Sequence, residues 1–366
     1  MESMSKAIYI HIPFCNHICY YCDFCRTVYR EKQANDYLDV LIKEMTHVLN
    51  NDINYKTIYI GGGTPSVLSL EQLERLLKAL KPYTSEIQEY TIECNPEDIS
   101  ALKASLFVQY GINRVSIGVQ TSSATLLESI NRKHQFETVV DGVQCLRKAG
   151  IYNISLDLIY GLPQQTLDDW KQTLKDCTSL AIPHISLYSL TIEENSVFGK
   201  RGVEKADDDL EADMYEFAVE FLGKHGFQQY EVSNFCKEGC QSKHNLTYWR
   251  YDDFIGIGLN ASGKHGHYRY TNTDNINEYC IDFRSKTYYH INQSEQMFEY
   301  IMMNLRKTEG LSLQDFNEVF EVLFLDCYHD EIEALIDKNL IDVDTIHAQV
   351  KCRKMSLLNE VLLEFM

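Results

Sequence analysis

Residues 7–22 read AIYIHIPFCNHICYYC, in which a short apolar run leads directly into three cysteines, Cys15, Cys19 and Cys22. This C-x3-C-x2-C spacing puts three thiolates on one short loop. Three thiolates can hold three irons of a [4Fe–4S] cube and leave the fourth iron open. The alternative is structural zinc, but zinc ligands usually come as two C-x2–4-C pairs about a dozen residues apart. No second pair follows at that distance, so the spacing favours an iron–sulfur cluster.

The composition describes a long, acidic chain that is rich in cysteine. Its 366 residues, 45% of them hydrophobic, suffice for one large domain with an appendage or for two domains. The net charge of −19 disfavours nucleic acid as a partner, because an acidic surface repels phosphates. It also disfavours anionic ligands, unless a local arginine pocket binds them. We find neither a signal peptide nor an 18-residue apolar run, so we expect a cytoplasmic protein without a membrane segment. Its twelve cysteines are then expected to be reduced thiols and metal ligands.

From residue 7 to about residue 190, β-like runs alternate with amphipathic helical stretches. Such a repeat with short connections predicts a parallel sheet covered by helices. Six units would make a partial (β/α)6 barrel, about three-quarters of the eight-stranded form, with its chemistry at the carboxyl ends of the strands. The runs are 7–12, 57–60, 90–93, 114–119, 154–159 and 184–190.

The repeat stops after residue 200. Residues 207–225 predict one acidic amphipathic helix, and a mixed segment with β-like pieces follows. From about residue 293 a helical tail leads into two β-like pieces, an order that suggests a small winged-helix-like domain. We therefore expect an α/β barrel at 1–205, a connecting segment at 206–290 and a mostly helical C-terminal domain at 291–366.

Polar motifs follow several of the predicted strands. Residues 61–65 read GGGTP, and three glycines let backbone approach a ligand closely. Glu93, Gln120, Arg132 and Asp157 stand at or after later strands. Each motif also has an ordinary explanation, such as a glycine-rich turn or an acidic helix N-terminus, so that singly they are weak signals.

Taken in order, these motifs resemble the HemN-like branch of the radical SAM superfamily. That branch includes oxygen-independent coproporphyrinogen III oxidases and the HemW heme chaperones. The resemblance runs from Tyr9 to the tail, where residues 295–310 and the pair Asp315-Phe316 resemble the C-terminal domain of the branch. It implies a [4Fe–4S] cluster on Cys15, Cys19 and Cys22, with S-adenosylmethionine (SAM) at the open iron.

The resemblance also implies roles for individual residues around SAM. Tyr9 would lie beside the cluster, and Gly62, Gly63 and Thr64 would contact the methionine moiety. A further four would hold the ribose and carboxylate: Glu93, Gln120, Arg132 and Asp157. Carboxylates, an arginine and close backbone suit a ligand with a sulfonium, an amino acid end and an adenosine, whose chemistry belongs to the cofactor.

Two features separate the subgroups of the branch. Residues 244–249, HNLTYW, resemble the HNxxYW motif of the HemW proteins, whose histidine is implicated in holding heme. A neutral imidazole is a good axial ligand, and Tyr and Trp offer flat surfaces for a porphyrin. The ordinary alternative is that His244 is a core histidine whose hydrogen bonds are satisfied within the protein, and that Trp249 is an ordinary core residue. A third option, a metal or heme site on one helix carrying Cys236, Cys240 and His244, is disfavoured by the intervening residues.

The second feature is the sequence after the cysteine motif. Asp23-Phe24 resembles the CDF of HemW proteins, whereas the oxidases carry a fourth cysteine two residues after the third and a long N-terminal extension. We expect no such extension here. Cys25 departs from the HemW pattern and is expected to be a free thiol near the site.

These features favour a heme chaperone over an enzyme. The expected partners are heme and a recipient hemoprotein, which can be membrane-associated. A homodimer is also compatible with a cluster that has an open iron. The alternative is a radical SAM decarboxylase that converts coproporphyrinogen III to protoporphyrinogen IX. Its substrate has four propionates, which the acidic charge of the chain does not favour. A zinc-stabilised scaffold is the third class and would be colourless.

Overall fold

The computed structural model of the chain describes residues 6–366. The first five residues, on which part of the expected lack of a signal peptide rests, lie outside the described residues. Six parallel strands form the centre of the main sheet, each paired with the next along the chain. They are β1 (Ala7–Ile12), β2 (Thr57–Gly62), β3 (Glu89–Cys94), β4 (Arg114–Gln120), β5 (Asn153–Tyr160) and β6 (His184–Ser189).

Helices connect these strands and cover the sheet. The principal ones are α1 (Glu31–Val48), α2 (Leu70–Leu80), α3 (Ala101–Gln109), α4 (Ala124–Ser129), α5 (Phe136–Ala149) and α6 (Leu167–Ser179). Short 3-10 turns lie at Pro65–Val67, Lys81–Tyr83 and Pro96–Asp98. The strand residues are almost all buried, as expected of parallel strands covered by helices. The predicted partial (β/α)6 barrel is confirmed.

The segment after the barrel adds strands to both edges of the same sheet. The strands β7 (Gln228–Gln229) and β8 (Asn234–Cys236) lie beyond β6, whereas β9 (Phe254–Ile257) pairs in parallel with β1. An antiparallel ribbon continues from β9, formed by β10 (Ser262–His265), β11 (Tyr268–Asn272) and β12 (Lys286–His290). The sequence suggested only a mixed segment here. The helices of this region are α7 (Val197–Lys200), α8 (Asp208–Lys224), α9 (Lys243–Trp249) and α10 (Ile276–Ile281).

A buried acid ties the ribbon to the barrel. Glu44 lies fully buried on the inner face of α1 and accepts hydrogen bonds from Tyr279 Oη at 2.6 Å and Asn272 Nδ2 at 3.0 Å. Lys286 on β12 forms an ion pair with it at 2.8 Å. A buried carboxylate persists only with such partners, so Glu44 fixes the position of the ribbon against α1.

The C-terminal region has its own apolar core, built around Phe316, Phe324 and Leu335. Helices α11 (Gln293–Asn304), α12 (Leu313–Phe320), α13 (Phe324–Cys327), α14 (His329–Asp337) and α15 (Leu358–Leu363) surround a small antiparallel sheet. Its strands are β13 (Leu311–Ser312), β14 (Ile341–Val343) and β15 (His347–Val350). The predicted helical, winged-helix-like tail is confirmed, whereas the domain boundaries stay predictions.

Candidate functional site

The cysteine loop is closed at its base by two short parallel strands, Phe14–Cys15 and Thr27–Val28. Cys15 is buried, and Cys19 and Cys22 are half-buried. Burial raises the pKa of the Cys15 thiol to about 11 and also raises that of the Cys22 thiol, because a thiolate loses hydration there. A metal that binds such thiols supplies the positive charge that deprotonates them.

Among the side chains that the structure describes, no three from His, Cys, Asp or Glu converge closely enough to hold a metal ion. The structure thus puts the three cysteines on one loop but does not gather their sulfur atoms into a ligand set. The donor chemistry still fits an iron–sulfur cluster, since all three side chains are thiols. The negative charges of Cys22 and Cys19 act to raise the pKa of Cys15, so the three groups share one neighbourhood.

The glycine-rich loop after β2 packs directly against this neighbourhood. Thr64 Oγ1 donates to Cys15 Sγ at 3.6 Å. A Cβ at Gly63 would lie 3.0 Å from Cys15 Sγ, and one at Gly62 would lie 2.6 Å from the His11 ring. Gly62 also has φ +114°, a conformation that side chains strongly disfavour. Only glycine lets this backbone pass so close to the cysteine loop.

We expect Gly62→Ala to lower the free energy of unfolding by about 3 kcal/mol, because backbone strain of about 1–3 kcal/mol adds to a clash with His11. The matched control is Gly111→Ala. Gly111 has φ +88° but open space around its Cβ position, so that variant should lose only about 1 kcal/mol. Urea unfolding of both variants measures the difference. Equal losses would contradict a tight fit of the loop at Gly62.

Glu93, near the end of β3, is the polar centre of the site. Its carboxylate accepts from the Gly62 amide at 3.1 Å and from Tyr59 Oη at 2.6 Å. The ring of Tyr9 stacks on Tyr59 at 6.2 Å between centroids. Burial raises the pKa of Glu93 from 4.5 to about 7, and the nearby Asp157 adds to the shift. A cationic or hydroxyl-bearing ligand group would stabilise the charged form of this carboxyl group.

The remaining predicted SAM residues lie at the same end of the sheet. Arg132 is buried, with Nη1 donating to Asn95 Oδ1 at 2.6 Å and Nη2 donating to the Gly118 carbonyl. Its Nε is buried without a partner among the described residues. Asp157 accepts from Ser116 Oγ at 2.8 Å, and Gln120 ends β4 with φ +68°. The carboxyl ends of β2 to β5 thus share one polar surface beside the cysteine loop, as the sequence predicts.

His244 lies at the opposite end of the strands. Its Nδ1 is 2.8 Å from the hydroxyl of Thr57, the first residue of β2. Its Nε2 is 2.8 Å from Tyr248 Oη. The ring is 1% exposed and stacks on Tyr59 at 5.1 Å. Burial, with the charge of Arg114 adding to it, lowers the pKa of His244 to about 3, so the imidazole is neutral.

Both ring nitrogens of His244 therefore have partners. A heme iron could reach this imidazole only if the ring left Thr57 or Tyr248, so the role of His244 as heme ligand stays a prediction. The surroundings match the ordinary alternative, a core histidine whose two ring nitrogens are both hydrogen-bonded within the protein. The disfavoured option of one helix through Cys236, Cys240 and His244 is excluded, because Cys236 ends strand β8 and α9 begins only at Lys243.

Sequence reasoning missed the acid that holds the HNxxYW helix in place. Glu89, the first residue of β3, is buried and accepts from the backbone amides of Lys243 and His244, each at 2.9 Å. It also accepts from Ser242 Oγ at 3.3 Å. The amides of Lys243 and His244 lie in the first turn of α9, where no helical carbonyl accepts from them, and the negatively charged Glu89 carboxylate supplies the acceptor. The available signal was a second acid, besides Glu93, at the start of a short β-like strand.

Comparison with known proteins identifies the family of this chain. Residues 9–177 match the family model of the Radical SAM superfamily, and residues 291–355 match the HemN C-terminal domain. The heme chaperone HemW of Lactococcus lactis subsp. lactis (strain IL1403) is 38% identical, over 100% of this chain and 98% of its own length. The chain belongs to the HemW heme chaperone family. A second HemW, from Bacillus subtilis (strain 168), is also 38% identical and covers 92% of each chain.

One solved structure shares the fold over nearly the whole length of this HemW-family chain. The coproporphyrinogen III oxidase HemN from Escherichia coli aligns with a TM-score of 0.86 at 22% identity, covering 99% of this chain and 90% of its own. At that identity the likeness is one of fold. Among residues 6–366, no helix is long and apolar enough to cross a bilayer.

Proposed function

We propose that this chain is a heme chaperone that carries a SAM-ligated [4Fe–4S] cluster, binds heme and delivers it to a recipient hemoprotein. The observation that carries the proposal is 38% identity to a heme chaperone over the entire chain. The HNxxYW segment at residues 244–249 and the absence of a cysteine two residues after Cys22 favour the same subgroup.

Cys15, Cys19 and Cys22 would hold the cluster in this proposal, and Tyr9 lies in the aromatic and hydroxyl network beside Glu93. When bound, the cluster and SAM supply the redox chemistry of the superfamily. The residues of this chain bind and orient them. The backbone at Gly62 and Gly63, with Thr64, offers close contacts at the edge of the cysteine loop.

Four side chains would receive the rest of SAM. Glu93, whose pKa is raised by burial, and Asp157 offer carboxylates for the ribose hydroxyls. Arg132 offers a buried cation for the carboxylate, and such charge-assisted bonds are the strong ones. Gln120 completes the set from the end of β4.

We place the protein in the cytoplasm, because the cysteines that the structure describes are all free thiols and such thiols persist in reducing compartments. The recipient hemoprotein can be associated with a membrane. A homodimer joined near the cluster is compatible with a cluster that keeps one iron open. Analytical ultracentrifugation of the reconstituted protein tests the dimer.

An anaerobic heme titration of the reconstituted protein, followed through the Soret band, tests the proposal. We expect saturation at one heme per chain, since a carrier needs one defined site. No saturable binding would contradict it and would direct attention to the decarboxylation of coproporphyrinogen III.

A further inference from the structure

A groove of about 520 Å³ lies on the surface of the C-terminal region, beside helix α12. Gln314, Asn317 and Glu318 line one side of it, because positions i, i+3 and i+4 share one face of a helix. The lining is completed by Leu313, Leu323, Leu325, Asp326 and Thr345. The groove is thus built from α12, from the chain that follows it and from the turn between β14 and β15. None of the residues assigned to the cluster, to SAM or to the HNxxYW motif lines it.

The chain after α12 turns two leucines outward. Glu321, the residue after the helix, has a left-handed φ of +57°, which ends α12 and redirects the chain. Asn317 Oδ1 accepts from the Phe324 amide at 2.8 Å, and the ring of Phe324 is fully buried in the core of the C-terminal region. The two neighbours of Phe324 then point away from that core, so that Leu323 is 55% exposed and Leu325 is 42% exposed.

A third exposed apolar side chain belongs to the same groove. Ile346 follows Thr345 in the turn between β14 and β15 and is 58% exposed. Its carbonyl accepts at 2.9 Å from the amide of Leu313, which lines the groove. Single exposed apolar side chains are normal on a protein surface, but several of them around one groove with polar residues beside them are typical of an interaction surface.

The acidic side chains of the groove have no cationic partner. Glu318 accepts from Gln314 Nε2 at 2.8 Å, and neither Glu318 nor Asp326 forms an ion pair with a residue that the structure describes. Residues 311–346 contain ten acidic residues and a single lysine, Lys338, which pairs with Glu364. Their net charge of −9 is nearly half of the −19 of the whole chain. The potential at the groove is therefore negative and attracts Lys and Arg side chains.

We propose that this groove is a docking site for a basic amphipathic helix of a partner protein. The apolar stripe of such a helix would cover Leu323, Leu325 and Ile346, and its Lys and Arg side chains would lie beside Glu318 and Asp326. Amphipathic helices bind apolar grooves in this way, through side chains spaced at i, i+3, i+4 and i+7. The inference goes beyond the proposed function, because nothing in it depends on heme, SAM or the cluster.

The charge and the topology of the groove disfavour other occupants. A second copy of this chain would bring the same charge of −9 against the groove, and an anionic membrane surface would be repelled for the same reason. An extended peptide would need a free strand edge, but none of the residues that line the groove belongs to a strand.

Fluorescence anisotropy of a labelled peptide with the full-length protein tests the proposal. The peptide is a helix of about 18 residues, with leucines at positions i, i+3, i+4 and i+7 and lysines on the opposite face. We expect saturable binding that weakens as the salt concentration rises. Leu323→Ser with Leu325→Ser should weaken it by more than about 10-fold, because the leucines lose the apolar surface that binding buries. Glu318→Lys with Asp326→Lys should weaken it to a similar extent, because it places like charges against the peptide.

Matched controls separate the groove from the general acidity of the chain. Glu137→Lys with Asp141→Lys makes the same change of charge on the exposed face of α5. Leu102→Ser with Ile281→Ser removes two apolar side chains that are 68% and 87% exposed elsewhere on the surface. Both double variants should bind the peptide as the wild type does. A peptide of the same composition with its leucines spread evenly around the helix should bind at least about 10-fold more weakly, because it has no apolar stripe to bury.

Each other outcome overturns the inference. A wild type that does not bind the peptide would do so, as would equal losses in the groove variants and their controls, which would show non-specific attraction to an acidic protein. A dimer in sedimentation that Leu323→Ser with Leu325→Ser abolishes would show that a second copy covers the leucines. Binding to phosphatidylcholine vesicles that the same variant abolishes would show a membrane contact instead. The heme titration is independent of all these results, so either proposal can fail while the other stands.

Discussion

Replacing Cys19 by serine is expected to remove the iron–sulfur cluster. The cluster needs all three thiolates of the loop, and a serine hydroxyl does not ionise to replace one of them at neutral pH. The reconstituted variant should lose nearly all iron and sulfide, the absorbance near 400 nm and the reduced-state electron paramagnetic resonance signal. Binding of SAM should fall with them, because the open iron is one of its contacts.

The matched control is Cys25→Ser in the same loop. Cys25 Sγ donates weakly to the Asp274 carbonyl at 3.7 Å, and a serine hydroxyl can make a similar bond. We expect full iron content in this variant. A colourless wild type that binds zinc would contradict the cluster, and loss of iron in Cys25→Ser but not in Cys19→Ser would contradict the ligand assignment.

Glu93→Gln is expected to stabilise the cluster-free fold above pH 7 while weakening the binding of SAM. Burial raises the pKa of Glu93 from 4.5 to about 7, so folding favours the uncharged carboxyl group. That stabilisation is complete below pH 4.5 and is lost as the pH rises through 7. At pH 8 the neutral glutamine should therefore raise the free energy of unfolding by about 2 kcal/mol, less than the full shift implies because the side chain is partly exposed.

The same substitution removes the carboxylate offered to SAM. A hydrogen bond to a charged group contributes about 1.5–3 kcal/mol, so the affinity for SAM at pH 8 should fall about 10- to 100-fold in calorimetric titrations.

Glu231→Gln is the matched control for this second effect. Glu231 is a second buried acid whose pKa is raised to about 7 by burial. Its carboxylate accepts from the Ser233 N–H at 3.3 Å. It lies between β7 and β8, on the far side of β6 from the strands that carry Glu93, Gln120 and Asp157. The Glu231→Gln substitution should also stabilise the protein at pH 8 but leave the affinity for SAM unchanged. Stabilisation by Glu93→Gln with undiminished SAM affinity would contradict the placement of SAM at Glu93.

The barrel and its carboxyl-end site were predictable from sequence because both depend on local order. Apolar runs of strand length alternate with helical stretches, and parallel strands necessarily bring their carboxyl ends to one edge. Thr64 follows β2 and Glu93 lies near the end of β3, so both lie at the same end of the sheet. The three cysteines are close in the chain, so one loop carries them whatever the rest of the fold does.

The environment of His244 was not predictable in the same way. Its partners Thr57 and Glu89 lie more than 150 residues earlier in the chain, and nothing in the spacing of HNxxYW reveals them.

The central claim is that this chain carries heme rather than transforming a porphyrinogen. The most direct test incubates the reconstituted protein anaerobically with SAM, a reductant and coproporphyrinogen III, and in parallel with heme, and analyses both mixtures by absorbance and chromatography. We predict one heme bound per chain and coproporphyrinogen III recovered unchanged. Accumulation of protoporphyrinogen IX, with no heme retained by the protein, would contradict the account.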